Sequence, residues 1–341
     1  MIGKKYGWAV ACAFLSMATA VHAETPEEKG LKTINQTTAQ AHVGFLASDD
    51  LQGREAGTAG GRIAGQYLVA QLQTLGIRPL DGSYLHSFEA CHPERQQKGG
   101  RWQVHPDSVA AMRRSGAAFQ LLSLNNVLGM IEGKNPNEIV IVGAHYDHLG
   151  TDPFLAGDRI YNGADDNASG VSAVLQIARA FLATGKKPER TVIFAFWDGE
   201  EKGLLGSRAF VDRFEKMDCV KGYLNFDMIG RNSDEAHPEQ VTYFYTEAYP
   251  AFGQWLKEDV RKYDLKLAPD YRPWDKPVGG SDNASFALRN IPIIWYHTGG
   301  HPDYHQPGDH TDKINWDKVV NITKASFLNM WKMANEKVPF K

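Results

Sequence analysis

Hydrophobic positions along the chain switch between two periods. Short, continuous apolar runs occupy Glu138–Ala144 (EIVIVGA), Thr191–Trp197 (TVIFAFW), Val220–Phe226, Val241–Thr246 and Ile291–Tyr296 (IPIIWY). Runs of this length, rich in β-branched and aromatic residues, predict buried strands. Pro292 falls near the start of the last run, where a missing N–H is tolerated. Between these runs the spacing becomes helical. Val171, Val174, Leu175, Ala178, Phe181 and Leu182 predict one helix, and further helices are predicted over Leu204–Met217, Phe252–Tyr263 and Asn315–Glu336. Upstream, Gly60–Leu75 predicts an amphipathic helix with Ile63, Tyr67, Leu68, Leu72 and Leu75 on one face and Gly76 as its C-cap. Residues 81–123 read as irregular, and the polar Glu94–Arg101 stretch as a surface loop. Strands alternating with helices from Asn126 onward imply an α/β fold, a mostly parallel mixed sheet with helices on both faces. Such sheets place their sites beyond the carboxyl ends of the strands.

Composition narrows the class. The 341 residues include 16 Phe, 13 Tyr and 8 Trp, enough to bury a large core and to exclude disorder. A net charge of -3 argues against a nucleic-acid partner. The first residues read as a secretory leader: Lys4 and Lys5, then an apolar run from Trp8 to Ala20, then Val21-His22-Ala23 as a small-x-small cleavage site. The run is too short to span a bilayer core of roughly 30 Å, so a membrane anchor is the weaker reading. This divides the chain into a leader at residues 1–23 and a single catalytic domain at residues 24–341, with a periplasmic or secreted location and no stable membrane association. In that oxidising setting Cys91 and Cys219 could form one disulfide or remain two separate buried thiols.

The chemistry lies in the residues just after each predicted strand. EIVIVGA runs into His145-Tyr146-Asp147-His148, and TVIFAFW into Asp198-Gly199-Glu200-Glu201. The strand at 220–226 ends in Asp227, and IPIIWY opens a His-rich loop from His297 to His310. Gly163-Ala164-Asp165-Asp166-Asn167 leads into a helix. Each segment alone is an ordinary polar loop or helix cap. Together they bring carboxylates and imidazoles to one sheet edge, where a divalent cation such as Zn²⁺ would neutralise them. Neither glycine cluster, at 57–65 or 163–170, has the form of a nucleotide-binding loop.

GAHYDHLG, NGADDNASG, FAFWDGEEKGLLGS, NFDMIGR and HPDYHQPGDHTDKI, with LASDDLQGREAGTAGG before them, resemble the ordered motifs of the co-catalytic dizinc aminopeptidases, relatives of the glutamate carboxypeptidases. The resemblance covers roughly residues 40–335. It implies a zinc-peptidase (phosphorylase/hydrolase-like) architecture and an exported metallo-exopeptidase that removes amino-terminal residues from peptides. It further implies that two Zn²⁺ are held, one by His145, Asp166 and Asp227, the other by Asp166, Glu201 and His305. Glu200 would be the general base and Asp147 would orient His145. Tyr304 would polarise the substrate carbonyl, as an equivalent Tyr does in some relatives.

Asp166 rather than Asp165 is selected only by the motif, which leaves Asp165 as a helix-start acid. His305 is preferred because His305-x-Pro307-x-Asp309 matches the family's last ligand motif; His148, His297, His301 and His310 are assigned to the loop or to the surroundings of the ligands. One departure stands out: Asn283 occupies the place of a His in the family's Ser-Asp-His segment, here Ser281-Asp282-Asn283. The neighbouring readings are a metallocarboxypeptidase, for which Arg231 would have to bind the substrate carboxylate, and a mono-zinc glutaminyl-cyclase-like enzyme. The reading from another class is a non-catalytic binding protein on the same fold.

Overall fold

A computed structural model describes residue 3 and residues 23–94, 101–274 and 279–336. The expected leader and most of the Glu94–Arg101 loop lie outside the described residues. In chain order the elements are α1 (Pro26–Leu31), α2 (Gln36–Leu46), α3 (Ala59–Leu75), β1 (Arg78–Pro79), β2 (Leu85–Pro93), α4 (Pro106–Arg114), β3 (Phe119–Ile131), β4 (Asn135–His145), α5 (Gly170–Ala183), β5 (Arg190–Trp197), α6 (Leu205–Arg213), β6 (Val220–Phe226), β7 (Gln240–Thr246), α7 (Ala251–Lys262), β8 (Ala268–Trp274), α8 (Asn283–Ala287), β9 (Ile293–His297) and α9 (Trp316–Asn335).

The described strands form one nine-stranded mixed sheet in the order β1-β3-β5-β4-β6-β9-β7-β8, with β2 also on β3. Its centre, β5-β4-β6-β9, is parallel, while β3 and β7 join it antiparallel. The central strands are apolar on both faces because both are covered. Along β4, Val140 and Val142 enter one core cluster and Ile139 and Ile141 the other; along β5, Phe194 and Phe196 face one way and Ile193, Ala195 and Trp197 the other. The first face is covered by residues of α2, α3, α5, α7 and α9, the second by α6 and α8.

Two expectations are corrected, and one left open is decided. Residues 81–123 are not irregular: β2 pairs with β3 along nine consecutive positions, from Leu85 with Val127 to Pro93 with Phe119. This ladder carries polar residues on its exposed side, which hid its period. Helix α3 does form, starting at a Thr58 cap and ending at left-handed Gly76, but its buried face is Gly60, Gly61, Ala64, Gly65, Leu68 and Leu72, and Ile63 is exposed. Small residues are selected here by close approach. A Cβ on Gly60 would stand 1.8 Å from the Leu51 carbonyl oxygen. Cys91 and Cys219 are free thiols. Cys91 is buried in β2, whereas Cys219 packs against the cluster of Ile139, Phe210 and Val220. No helix among the described residues is long and apolar enough to cross a membrane.

Candidate metal centre

The parallel strands all end at one edge, and the polar residues beyond them converge there. His145 is the last residue of β4; Glu200 and Glu201 lie in a short turn after β5; Asp227 comes directly after β6. Asp166 lies in the irregular turn before α5, and His305 in the loop after β9, at a φ of 54°. His145 Nε2 lies 3.3 Å from Asp166 Oδ1, 3.6 Å from Asp227 Oδ1 and 4.0 Å from Glu200 Oε2. His305 Nε2 lies 3.3 Å from Asp166 Oδ2 and 3.2 Å from Glu201 Oε2. Asp166 therefore presents one oxygen to each histidine. Two groups have ligand atoms within 4.8 Å of one another and could hold a metal ion: His145, Asp166 and Asp227, and His148, Asp166 and Glu201.

The second group contains a residue that the sequence places only among the surroundings. His148 is buried, with Nδ1 2.8 Å from Glu201 Oε1. It and His305 occupy opposite oxygens of Glu201. The other histidines lie further out. His297 Nδ1 contacts the Asp227 carbonyl oxygen at 2.7 Å, His301 Nε2 lies 3.3 Å from Asp165 Oδ2, and His310 Nε2 lies 2.9 Å from Asp158.

The electrostatics are those of a site built around positive charge. Burial penalises an imidazolium at His145, yet Glu200 and the carboxylates of Asp147, Asp166 and Asp227 outweigh it and push its pKa well up. Burial would raise Asp166, but His145, His148 and His305 hold it well below the usual carboxylate range. Glu200 is raised, chiefly by burial; Asp227, Asp282 and Glu201 add to this against the opposing pull of His145. The carboxylates of Asp166, Asp227 and Glu201 with the imidazoles of His145, His148 and His305 fit Zn²⁺ chemistry, which takes nitrogen and oxygen donors.

Beneath these groups lies a frame of buried polar contacts. The Asp147 carboxylate accepts the backbone N–H groups of Glu200 at 3.0 Å and Glu201 at 3.4 Å. Its side chain therefore fixes the turn that carries both glutamates. The nearest acceptor to His145 Nδ1 is the Asp147 backbone oxygen at 3.2 Å, with the carboxylate at 3.7 Å. Asp309 accepts from the N–H groups of both Asp165 and Asp166. Asp165 lies at the helix start, as expected, but it is buried, and it accepts from Gly230 N at 2.5 Å and Ser169 Oγ at 3.2 Å. Ser281 Oγ accepts from Asn225 Nδ2 at 2.9 Å, and Asp282 stands at the N-cap position of α8.

Arg54 was not singled out from sequence. Its side chain is completely buried and donates to the carbonyl oxygens of Leu46, Tyr146, Asn162, Gly163 and Asp166. The signal lay in Gly53-Arg54, inside the LASDDLQGREAGTAGG segment, but its role depends on carbonyls up to 112 residues away.

The metal-site residues open into a cavity of about 340 Å³ lined also by Met228, Gly280, Trp295, His297, Gly300 and Tyr304. Tyr304 lines the cavity, is 45% exposed, and its ring stacks on His305 with centroids 3.9 Å apart. Among the described residues, the lining contains no Lys or Arg. Arg231 is buried and bonds Asp303 at 2.8 Å.

Comparison with known proteins bears on the fold and the family. Leucine aminopeptidase 2 of Arthroderma otae is 27% identical over 330 residues, covering 87% of this chain; the chain spans only 59% of that relative's length. The crystal structure of the LapA aminopeptidase of Legionella pneumophila superposes with a TM-score of 0.66 at 21% identity, covering 99% of this chain and 81% of its own. BSAP, a zinc aminopeptidase from Bacillus subtilis, superposes with a TM-score of 0.66 at 16% identity, covering 90% of this chain and 97% of its own. At these identities the two structures establish a shared fold. The sequence pattern of Peptidase family M28 matches residues 126–329, a span that runs from β3 into α9 and contains every candidate ligand, and on that match the chain belongs to this family.

Proposed function

We propose that this chain is an exported aminopeptidase that uses two zinc ions to remove amino-terminal residues from peptides. The observation that carries the reading is the sharing of Asp166 between two ligand groups, with His145 on one of its oxygens and His305 on the other. His145, Asp166 and Asp227 would hold one zinc, and Asp166, Glu201 and His305 the second. Zinc bound there supplies Lewis acidity, polarising the scissile carbonyl and lowering the pKa of a nucleophilic water.

The protein's own groups do the rest. Glu200, adjacent to a ligand and lining the cavity, accepts the proton of the attacking water and returns it to the leaving amine. Asp147 holds the Glu200–Glu201 turn so that one carboxylate ligates while its neighbour moves a proton. Tyr304 donates a hydrogen bond to the substrate carbonyl oxygen. The substrate's free amine is positively charged, and Glu200 and Asp227 recognise it in a cavity whose described lining has no Lys or Arg. The predicted leader at residues 1–23 supports export, and the zinc aminopeptidase among the structural neighbours supports the metal.

The test is metal analysis together with a panel of aminoacyl and carboxy-terminal reporter substrates, with and without chelator. About two zinc ions per chain and chelator-sensitive release of amino-terminal residues are expected. Full activity in zinc-free protein would overturn the reading, as would cleavage only at carboxyl termini.

A further inference from the structure

We propose that His148 is a positioning residue: it donates from Nδ1 to Glu201 Oε1 and so directs Glu201 Oε2 to the metal position shared with Asp166 and His305. This inference rests on the two-zinc reading above.

Glu201 is gripped from two sides. His148 Nδ1 lies 2.8 Å from Oε1, while His305 Nε2 lies 3.2 Å from Oε2 and 3.3 Å from Asp166 Oδ2. The side of Glu201 that faces Asp166 and His305 is thus the Oε2 side. His148 Nδ1 is 4.0 Å from Asp166 Oδ2, outside hydrogen-bonding distance. At 2.8 Å the His148–Glu201 contact is a hydrogen bond, with its proton assigned to Nδ1 and the carboxylate oxygen accepting. With the proton there, Nδ1 has no lone pair left for a metal; Nε2, the ring's other nitrogen, is buried without a hydrogen-bond partner among the described residues.

The surroundings of His148 suit a fixed support. Its side chain has no solvent exposure, against 35% for His305. Its backbone N–H donates to the Arg54 carbonyl at 3.3 Å, and it forms a bridge with Glu55. Gly163 closes on the ring from the other side: a Cβ there would stand 2.5 Å from His148 Cδ2. The imidazole cannot follow a metal without moving this backbone. A free Glu side chain, by contrast, has rotamer freedom that must be lost on ligation. Fixing Oε1 in advance removes much of that loss.

The competing role is direct ligation, since ligand atoms of His148, Asp166 and Glu201 lie within 4.8 Å of one another. Two substitutions separate the roles. His148→Asn places an amide N–H near the position of Nδ1 but cannot ligate zinc as imidazole does. His148→Leu keeps the bulk and removes the donor. Zinc affinities of both sites are measured by chelator competition on the full chain. His148→Leu should weaken one site about 10–100-fold and leave the other unchanged, and His148→Asn should restore most of the loss. Equal weakening in both variants would overturn the proposal in favour of ligation, and unchanged affinity in His148→Leu would overturn it outright. A wild type that binds fewer than two zinc ions would overturn the two-zinc reading, and this proposal with it. Melting of the metal-free proteins checks folding; if His148→Leu does not fold, His148→Ser, too short to reach Glu201, replaces it under the same criteria.

Discussion

Arg54 offers the sharpest test of how the fold holds its site. Its guanidinium is fully buried and donates to five carbonyl oxygens, three of them in the Asn162–Asp166 segment. Replacing it with Lys keeps the charge but offers three donors instead of five. At least two of the five carbonyls then lose their partner. Each buried acceptor left unsatisfied costs about 1–3 kcal/mol, so Arg54→Lys should lose about 2–6 kcal/mol. Arg54→Met removes every donor, but it also removes the cost of burying a cation. Its loss should fall in the same range, about 3–5 kcal/mol. The assay is urea unfolding of the metal-free protein at pH 7, with zinc affinity measured in parallel. Because Asp166 serves both proposed metal positions, Arg54→Lys should weaken both zinc ions, unlike His148→Leu. Unfolding free energies within about 0.5 kcal/mol of wild type would refute this account, as would lost stability with both affinities intact.

Three further outcomes are expected from the structure. Glu200→Ala should retain zinc and lose about 10²–10⁴-fold in kcat, read by steady-state kinetics beside metal analysis; unchanged turnover would remove Glu200 from proton transfer. Burial, with a smaller push from Arg179, lowers His42 from 6.5 to about 4, so the folded protein keeps it neutral where the unfolded chain protonates. Its contribution is fully present above pH 6.5 and falls away by about pH 4, roughly 3 kcal/mol in all. The pH dependence of unfolding should therefore be flatter in His42→Leu across that window, and identical slopes would refute the assignment. Gly163 has a φ of 57°, and a Cβ there would stand 2.1 Å from the Asp166 carbonyl oxygen and 2.7 Å from Arg54 Nη2. Gly163→Ala should cost about 2–4 kcal/mol and weaken zinc binding, measured by unfolding and chelator competition; a neutral substitution would show that this approach can relax.

The legibility of each element in the sequence has a physical cause. Strands β4, β5, β6 and β9 were legible because they are buried on both faces and read as continuous apolar runs. Once those ends were located, the residues after them pointed to the site. Strands β2 and β3 were not legible, since their exposed faces interrupt the run with Ser, Glu, Gln and Asn. The face of α3 was misread for a related reason: hydrophobicity marks what can be buried, and the glycines that are buried carry no such mark. Within the site, residue types announced the candidate ligands, but not the polar frame behind them. Arg54 looks like any charged loop residue until the fold supplies its carbonyls. His148 and His305 were indistinguishable as types, and only the three-dimensional arrangement sets them on opposite oxygens of Glu201.

The same reasoning bears on which end of a peptide is recognised. A carboxypeptidase must neutralise the substrate's terminal carboxylate inside its cavity, and Arg231 is the one residue that the sequence offers for that task. In the structure Arg231 is 8% exposed and committed to Asp303 at 2.8 Å, with Asp309 beyond it at 3.9 Å. Asp309 in turn holds the backbone of Asp165 and Asp166. To reach a substrate, Arg231 would have to break its bond to half-buried Asp303, which also pairs with Lys313 at 2.7 Å, and move away from buried Asp309, which anchors the segment bearing Asp166. It does not line the cavity, and no other Lys or Arg among the described residues does. The cavity instead presents Glu200, Glu201 and Asp227. Two bound zinc ions would supply charge, but their place is at the scissile bond rather than at a terminus. Under the proposed two-zinc reading Glu201 and Asp227 are taken up by the metals, which leaves Glu200 as the uncommitted carboxylate of the described lining, so an ammonium group is expected to be favoured over a carboxylate.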